Sequence, residues 1–159
     1  MEYESLARKL IEEQHVMTLA TAGERGPWAA PVYYIFLESA FYFFSDPASR
    51  HIEDGLQSPL ASAAVFAPVF SWQDIRGLQM SGAVEAVSPG PAALKAVRSY
   101  LVKFSFAKEF FNPLELIDLN AFSNRFRVRL YRFKPSLVYY LDNSVGFGFR
   151  QRVDFKNQQ

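Results

Sequence analysis

Residues 41–51 read Phe41-Tyr42-Phe43-Phe44-Ser45-Asp46-Pro47-Ala48-Ser49-Arg50-His51, and the fold turns on how this stretch divides. The aromatic run from Ala40 to Ser45 has strand composition, and Asp46-Pro47 ends it with loop chemistry. Ser49 stands where a helix cap belongs, so Ser49–Leu56 reads as one or two helical turns. A strand that ends in a loop and a helix start gathers backbone N–H groups and the positive end of a helix dipole, which together attract anions. Ser49 adds a hydroxyl donor, and Arg50 a planar fork suited to phosphate oxygens. The plainer alternative is an ordinary cap, with Ser49 capping and Arg50 in solvent.

On the N-terminal side, Tyr3, Leu6, Ala7, Leu10 and Ile11 fall at helical spacing. His15–Ala22 and Trp28–Leu37 read as strands about a Gly23–Gly26 turn, and Glu38-Ser39 turns into Ala40–Ser45. On the C-terminal side, Ala61–Ala67 reads as a buried strand, Pro68 to Asp74 as a loop, and Arg76–Ser88 as a long strand bulged at Gly82. Pro89-Gly90-Pro91 breaks the sheet and starts a helix with Leu94, Val97, Leu101 and Phe104 on one face. Phe106–Ala121 fits helix and strand equally. Phe126–Phe133 alternates with period two, and Leu137–Leu141 follows Pro135 as a last strand. Six or seven strands at hairpin spacing with few helices make a mainly β chain, an antiparallel barrel-like sheet with flanking helices. A single domain over 1–149 with a polar tail at 150–159 is the expected organisation.

Composition narrows the function. The 159 residues suit one domain and can bury a core without staples. With no cysteine, thiolate catalysis, disulfides and cysteine metal sites are excluded. His15 and His51 are the only imidazoles and lie on different elements, so no metal site is expected and His15 reads as structural. Ser49, His51 and Asp54 assemble a hydrolytic triad on paper only, since no nucleophile elbow accompanies them. No apolar run reaches the ~18 residues of a membrane span, and MEYESLARKL lacks the basic flank of a secretion signal; a cytoplasmic protein is expected.

Sixteen Phe, eight Tyr and two Trp supply flat surface for a core, a subunit interface or a planar ligand. Charge is asymmetric: residues 1–94 hold 5 Lys or Arg against 11 Asp or Glu, residues 95–159 hold 12 against 5. Arg125, Arg127 and Arg129 alternate with apolar neighbours and would share one strand face. Such a stripe can take an anion, but the expected reading is a solvated or interfacial face whose removal leaves ligand affinity nearly unchanged. No nucleic-acid-binding motif accompanies it.

Four stretches in order carry a resemblance. They are the second strand Gly26-Pro27-Trp28-Ala29-Ala30-Pro31-Val32-Tyr33, the FYFFSDPASRH stretch, Gln79–Val87, and Tyr139-Tyr140-Leu141-Asp142-Asn143-Ser144-Val145-Gly146-Phe147-Gly148. Together, over roughly Ile11 to Phe149, they resemble the pyridoxamine-phosphate-oxidase-like FMN-binding split-barrel superfamily, the last of them a bacterial branch of it. The resemblance implies a six- to seven-stranded antiparallel split β-barrel that binds FMN at a homodimer interface and transfers electrons. It places Ala30, Pro31, Val32 and Tyr33 along the isoalloxazine ring and Phe44 and Ser45 beside ring and ribityl chain. Ser49, Arg50 and His51 would hold the phosphate. His51 stands where many relatives have Lys, and Gly77 where many have Gln.

The C-terminal substrate segment of the true pyridoxamine-phosphate oxidases, with its paired Arg and His, is replaced by GFGFRQRVDF, so vitamin B6 oxidation is not expected. No catalytic acid or base is named by the sequence, and the small-molecule substrate is open. The rival readings are a split barrel for haem or the deazaflavin F420, and a non-catalytic dimer that binds a flavin or other small ligand. Haem would favour an exposed axial His, and F420 a basic groove.

Overall fold

The computed structural model describes residues 2–105, 124 and 127–155. Helix α1, Glu2–Glu13, buries Ala7, Leu10 and Ile11. Strands β1, Val16–Gly23, and β2, Gly26–Tyr33, form a hairpin in register from Val16 opposite Tyr33 to Gly23 opposite Gly26. Gly26 closes the turn at φ 88°, a left-handed conformation that side chains disfavour. The run expected as one strand to Leu37 is two, because Tyr34 interrupts it and β3, Ile35–Leu37, joins the other end of the sheet. Glu38 and Ser39, both at positive φ, make the two-residue turn into β4, Ala40–Ser45.

Helix α2 follows at Arg50–Gln57, then β5 at Ala61–Phe66, a 3-10 turn at Trp72–Asp74 and β6 at Arg76–Ala86. Helix α3 is Pro91–Lys103, β7 is Arg129–Asp142 and β8 is Arg150–Arg152. The strand order is β2-β1-β5-β6-β7-β4-β3, every pairing is antiparallel, and β8 adds to β7 off this path. The two ends of that order, β2 and β3, are one residue apart in sequence. A flat sheet of seven strands spaced ~4.8 Å apart cannot satisfy that link, so the sheet curls until its ends meet. The result is a split barrel.

The side chains that alternate inward fill it. Met17, Leu19, Phe41, Phe43, Val65, Leu78 and Phe133 are fully buried, with α1 closing one side. On the outer face of β3, β4 and β7, α3 packs Ala93, Ala96, Val97 and Leu101 against Ile35, Tyr42 and Leu130. Its buried face is thus centred on alanines, and Leu94, expected there, is half-buried at its margin. Small residues let the helix approach the strands closely.

Three further expectations change. The two C-terminal strands are one, because Pro135 does not end β7. It sits opposite Gly82 where the β6–β7 register shifts, a bulge that tolerates a residue without an N–H. The expected strand from Phe126 begins only at Arg129, since Arg127 is in a turn at φ 54°. The expected tail contains β8, and Val153 and Phe155 enter the main core. That apolar pair was the missed signal. Phe106–Ala121, Arg125 and Phe126 lie outside the described residues.

The bulge at Gly82 is confirmed, and the residue has no room for a side chain. A Cβ there would lie 2.2 Å from the Lys134 carbonyl oxygen and 2.8 Å from Pro135 Cα. Because both obstacles are backbone, the strands must separate to admit it. Gly82→Ala should therefore cost about 2–3 kcal/mol, the upper range for overpacking. Urea unfolding of the variant beside wild type measures this, and a loss below 0.5 kcal/mol (roughly the surface-substitution range) would contradict it.

Candidate functional site

Ser45 ends β4, and the Asp46–Ser49 loop turns the chain back so that α2 starts beside it. Asp46 fixes the loop: its side chain accepts from the Ala48 N–H at 2.8 Å, and its carbonyl accepts from the Ser49 N–H at 3.0 Å. The Ser49 hydroxyl donates to the same carbonyl at 2.7 Å and leaves the first turn of α2 without a side-chain cap. This orientation aims three polar groups at one point. Ser45 Oγ lies 2.7 Å from His51 Nε2 and 3.1 Å from Ser49 Oγ, and Ser49 Oγ is 3.3 Å from His51 Nε2. Burial lowers the His51 pKa below its ordinary 6.5, so the ring is neutral at pH 7. At that pH the cluster holds hydroxyls and an imidazole, and no cation.

Arg50 points the other way. Its Nη2 donates to the carbonyls of Arg25 at 2.6 Å and Gly26 at 3.1 Å, and its Nε to Asp54 Oδ2 at 3.4 Å. Its guanidinium carbon stands 4.6 Å over the Trp28 ring. Asp54, buried, also meets Arg25 at 3.4 Å, and Arg25 reaches Glu53 at 2.8 Å. Gly23 makes room for this carboxylate, since a Cβ there would lie 2.3 Å from Asp54 Oδ1. The β1–β2 turn is therefore pinned to α2, and with it the direction in which Ser49 and His51 face.

Of the other expected residues, Ala30 and Val32 are buried on β2, while Pro31 and Tyr33 are exposed. As the end of the strand order, β2 has one open edge, and Pro27 and Pro31 are tolerated there because an edge needs fewer donors. Strand β2 packs beside β4 and α2, so the proposed ring and phosphate positions share one side of the molecule. Phe44 does not join Ser45. Period two turns it to the opposite face, where its ring meets Tyr100 of α3 edge-on at 5.1 Å.

The family profile described as pyridoxamine 5'-phosphate oxidase matches residues 4–141, nearly the whole described barrel and the site with it. The chain belongs to this family. It is 28% identical to a UPF0306 protein of Yersinia pestis bv. Antiqua (strain Angola) over 116 residues, 72% of this chain and 78% of that one. Among solved structures, it is similar to a haem-binding protein of Mycobacterium smegmatis at a TM-score of 0.71 and 22% identity, over 96% of this chain and 57% of that one. It is also similar to HutZ, the haem storage protein of Vibrio cholerae, at 0.66 and 14%, over 86% of this chain and 92% of that one. For an FAD-binding protein of Mesorhizobium loti the values are 0.60 and 21%, over 84% and 90%. At these identities the structural likenesses establish the split barrel, as the strand order does.

Two features of this family member were not legible in the sequence. One is the Arg25–Arg50–Asp54 pin, whose members come from a turn and a helix that only the fold brings together. The other is the register that sets Arg129 directly opposite Ser45. An i, i+4 Arg50–Asp54 pair was readable; its attachment to the turn was not.

The Arg50 contacts predict a stability effect. Arg50→Ala removes two hydrogen bonds to backbone carbonyls and one partner of a buried carboxylate, and should lower unfolding free energy by about 1–3 kcal/mol. Arg50→Lys should recover less than half, since a point charge cannot span three acceptors. Denaturant titration decides it, and wild-type stability in Arg50→Ala would contradict the pin.

His51 predicts a pH effect. Its folded pKa is depressed, so below about pH 6.5 the unfolded chain binds a proton that the folded chain refuses. The stability this site contributes is full above that value and falls as pH drops toward the folded pKa. Urea midpoints between pH 7.5 and 5.5 should decline in wild type and decline less in His51→Gln. Parallel slopes would contradict the assignment.

Proposed function

We propose that this protein binds FMN at the interface of a homodimer and works as a flavin-dependent oxidoreductase. The convergence of Ser45, Ser49 and His51 on one point is the observation that carries the reading. A phosphate oxygen would draw the Ser45 hydroxyl and an imidazole N–H as donors, with the Ser49 hydroxyl joining them once it turns from the Asp46 carbonyl, and the part-buried site strengthens each bond. The open edge of β2 offers Pro31 and Tyr33 to the ring system. Arg50 serves this site from behind, through its hold on α2.

When bound, FMN supplies the redox chemistry, and the protein binds, orients and shields it. The reaction is not assigned to vitamin B6. The segment where true pyridoxamine-phosphate oxidases place substrate-binding Arg and His here forms β8 and sends Val153 and Phe155 into the core. The dimer is supported by exposed aromatics, since Phe66, Phe70, Trp72 and Phe147 are all more than half exposed and Trp72 and Phe147 stack edge-on at 5.8 Å. A second reading, haem, would draw on His15, whose imidazole is exposed beside Phe104 at 5.6 Å and could serve as an iron ligand. A visible spectrum of the purified protein separates FMN, haem and F420, and an assay of flavin reduction and reoxidation separates the oxidoreductase from a non-catalytic dimer.

Because the anchor is a phosphate site, FMN should bind at least tenfold more tightly than riboflavin, the equivalent of about 1.4 kcal/mol. Fluorescence titration of each flavin measures the ratio, and equal affinities would remove Ser45, Ser49 and His51 from the role. Light scattering should give twice 18.1 kDa; a monomer mass at micromolar concentration would remove the dimer.

A further inference from the structure

The Ser45–Ser49–His51 cluster lacks the charge that a phosphate dianion demands. Its imidazole is neutral at pH 7, and Arg50 is tied to the β1–β2 turn. Donors without a counter-charge bind phosphate weakly, since charge-assisted bonds are about twice as strong as neutral ones. The missing cation must come from another element.

Strand β7 supplies one. Ser45 and Arg129 are register partners, and directly opposed residues of an antiparallel pair share a face with Cβ atoms roughly 4.5–5.5 Å apart. The ladder fixes which face this is. Phe41 opposite Phe133 and Phe43 opposite Tyr131 fill the barrel interior, with ring centroids 6.3 and 6.0 Å apart, and Ser45 opposite Arg129 is the next step of that same row. The barrel's apolar row ends at its rim in a hydroxyl and a guanidinium. Beyond them lies a cleft of about 340 Å³, where Arg127 and Arg129 face Asp46, Pro47 and Ala48, the loop that leads into Ser49. Arg127, at φ 54°, leaves the strand direction, so the two arginines enter the cleft from a turn and a strand end.

Among the described residues that line it, this cleft carries few charges. Asp46 is the opposing one, and its Oδ1 is already held by the Ala48 N–H. Neither Arg127 nor Arg129 has an ion-pair partner among the described residues. Among the described residues, two guanidinium groups against one carboxylate leave the rim net positive beside a donor cluster with no charge of its own.

We propose that Arg129, assisted by Arg127, is the cation of the Ser45–Ser49–His51 anion site and takes the part that a lysine at position 51 would play. This rests on the reading of that cluster as a phosphate site. It also reverses the expectation that the arginine stripe is a bystander face; Arg125, its third member, lies outside the described residues.

The test uses the full-length protein and the variants Arg129→Ala, Arg129→Lys and Arg127→Ala, with Arg152→Ala on β8 as a control. FMN and riboflavin are titrated by fluorescence, and inorganic phosphate by broadening of its phosphorus resonance. Arg129→Ala should weaken FMN at least tenfold while riboflavin changes less than twofold, and Arg129→Lys should recover part. Arg127→Ala should weaken FMN about threefold, and Arg152→Ala not at all. Melting temperatures should stay near wild type, since Arg129 is exposed. If wild type prefers FMN to riboflavin and Arg129→Ala keeps FMN affinity within threefold, the arginine assignment is overturned and the phosphate reading stands. Where wild type shows no FMN preference, but phosphate broadening occurs and is lost in Arg129→Ala, the flavin reading fails and the anion site stands. Where wild type shows neither an FMN preference nor any phosphate broadening, both are overturned.

Discussion

A single residue, Tyr34, links the two ends of the sheet, and the rest of the structure depends on how that link is held. Its N–H donates to the His15 carbonyl at 3.1 Å, and its hydroxyl donates to the Ile11 carbonyl at 2.8 Å from a fully buried position. Lys103, at the end of α3, stands 4.1 Å over the Tyr34 ring and donates to the carbonyls of Ile11 at 3.3 Å and Gln14 at 2.7 Å. The ammonium thereby meets carbonyls at the C-terminal end of α1, where a positive charge is favoured. Burial still pulls its pKa down to about 8, a sign of how dry the seam is. One tyrosine and one lysine tie α1, α3 and both sheet ends together. Without that closure β2 would not lie beside β4, and the two halves of the candidate site would face different directions.

The site inherits its order from this closure and from α2. An eight-residue helix is too short to hold itself in water, so its orientation has to come from tertiary contacts. Ile52 provides the buried apolar anchor, and Gly55 permits close approach to Val84 and Thr21. Arg50 and Asp54 provide direction, since two hydrogen bonds to the β1–β2 turn fix the helix's rotation as apolar burial alone would not. The helix is thus polar on two sides for two reasons. One side is spent on the scaffold, and the other is left for a ligand.

How much of this could be read in advance follows from the range of each signal. The α2 start, the strands and the Gly82 bulge were legible because propensity, turn chemistry and period two act over a few residues. The Phe41–His51 stretch was therefore divided correctly, and its two serines and histidine do meet. What was misjudged depended on which strand lies opposite which. Pro135 was taken as a strand end because its partner, the bulge at Gly82, is more than fifty positions away. Arg50 was assigned to phosphate because its attraction to carbonyls 25 and 26 requires the hairpin to fold back over α2. Phe44 was placed with Ser45 because adjacency in sequence suggests adjacency in space, which a strand's alternation forbids.

The same argument bears on the imidazole at position 51. A lysine there would put an ammonium into the part-buried cluster beside Ser45 and Ser49, on the side of α2 away from the Asp54–Arg25–Arg50 network that sets the helix's orientation. A neutral imidazole accepts burial at lower cost than an ammonium would. In the proposed arrangement the charge an anion needs sits across the cleft on β7, which the sheet holds through its pairing with both β4 and β6. Separation has a chemical consequence. A cation fixed on a strand end and donors fixed on a helix can grip a phosphate from two directions, whereas one lysine on a mobile stem grips from one. On the proposed reading His51 and the arginines at 127 and 129 belong to a single arrangement, in which orientation is set on one side of the cleft and charge on the other.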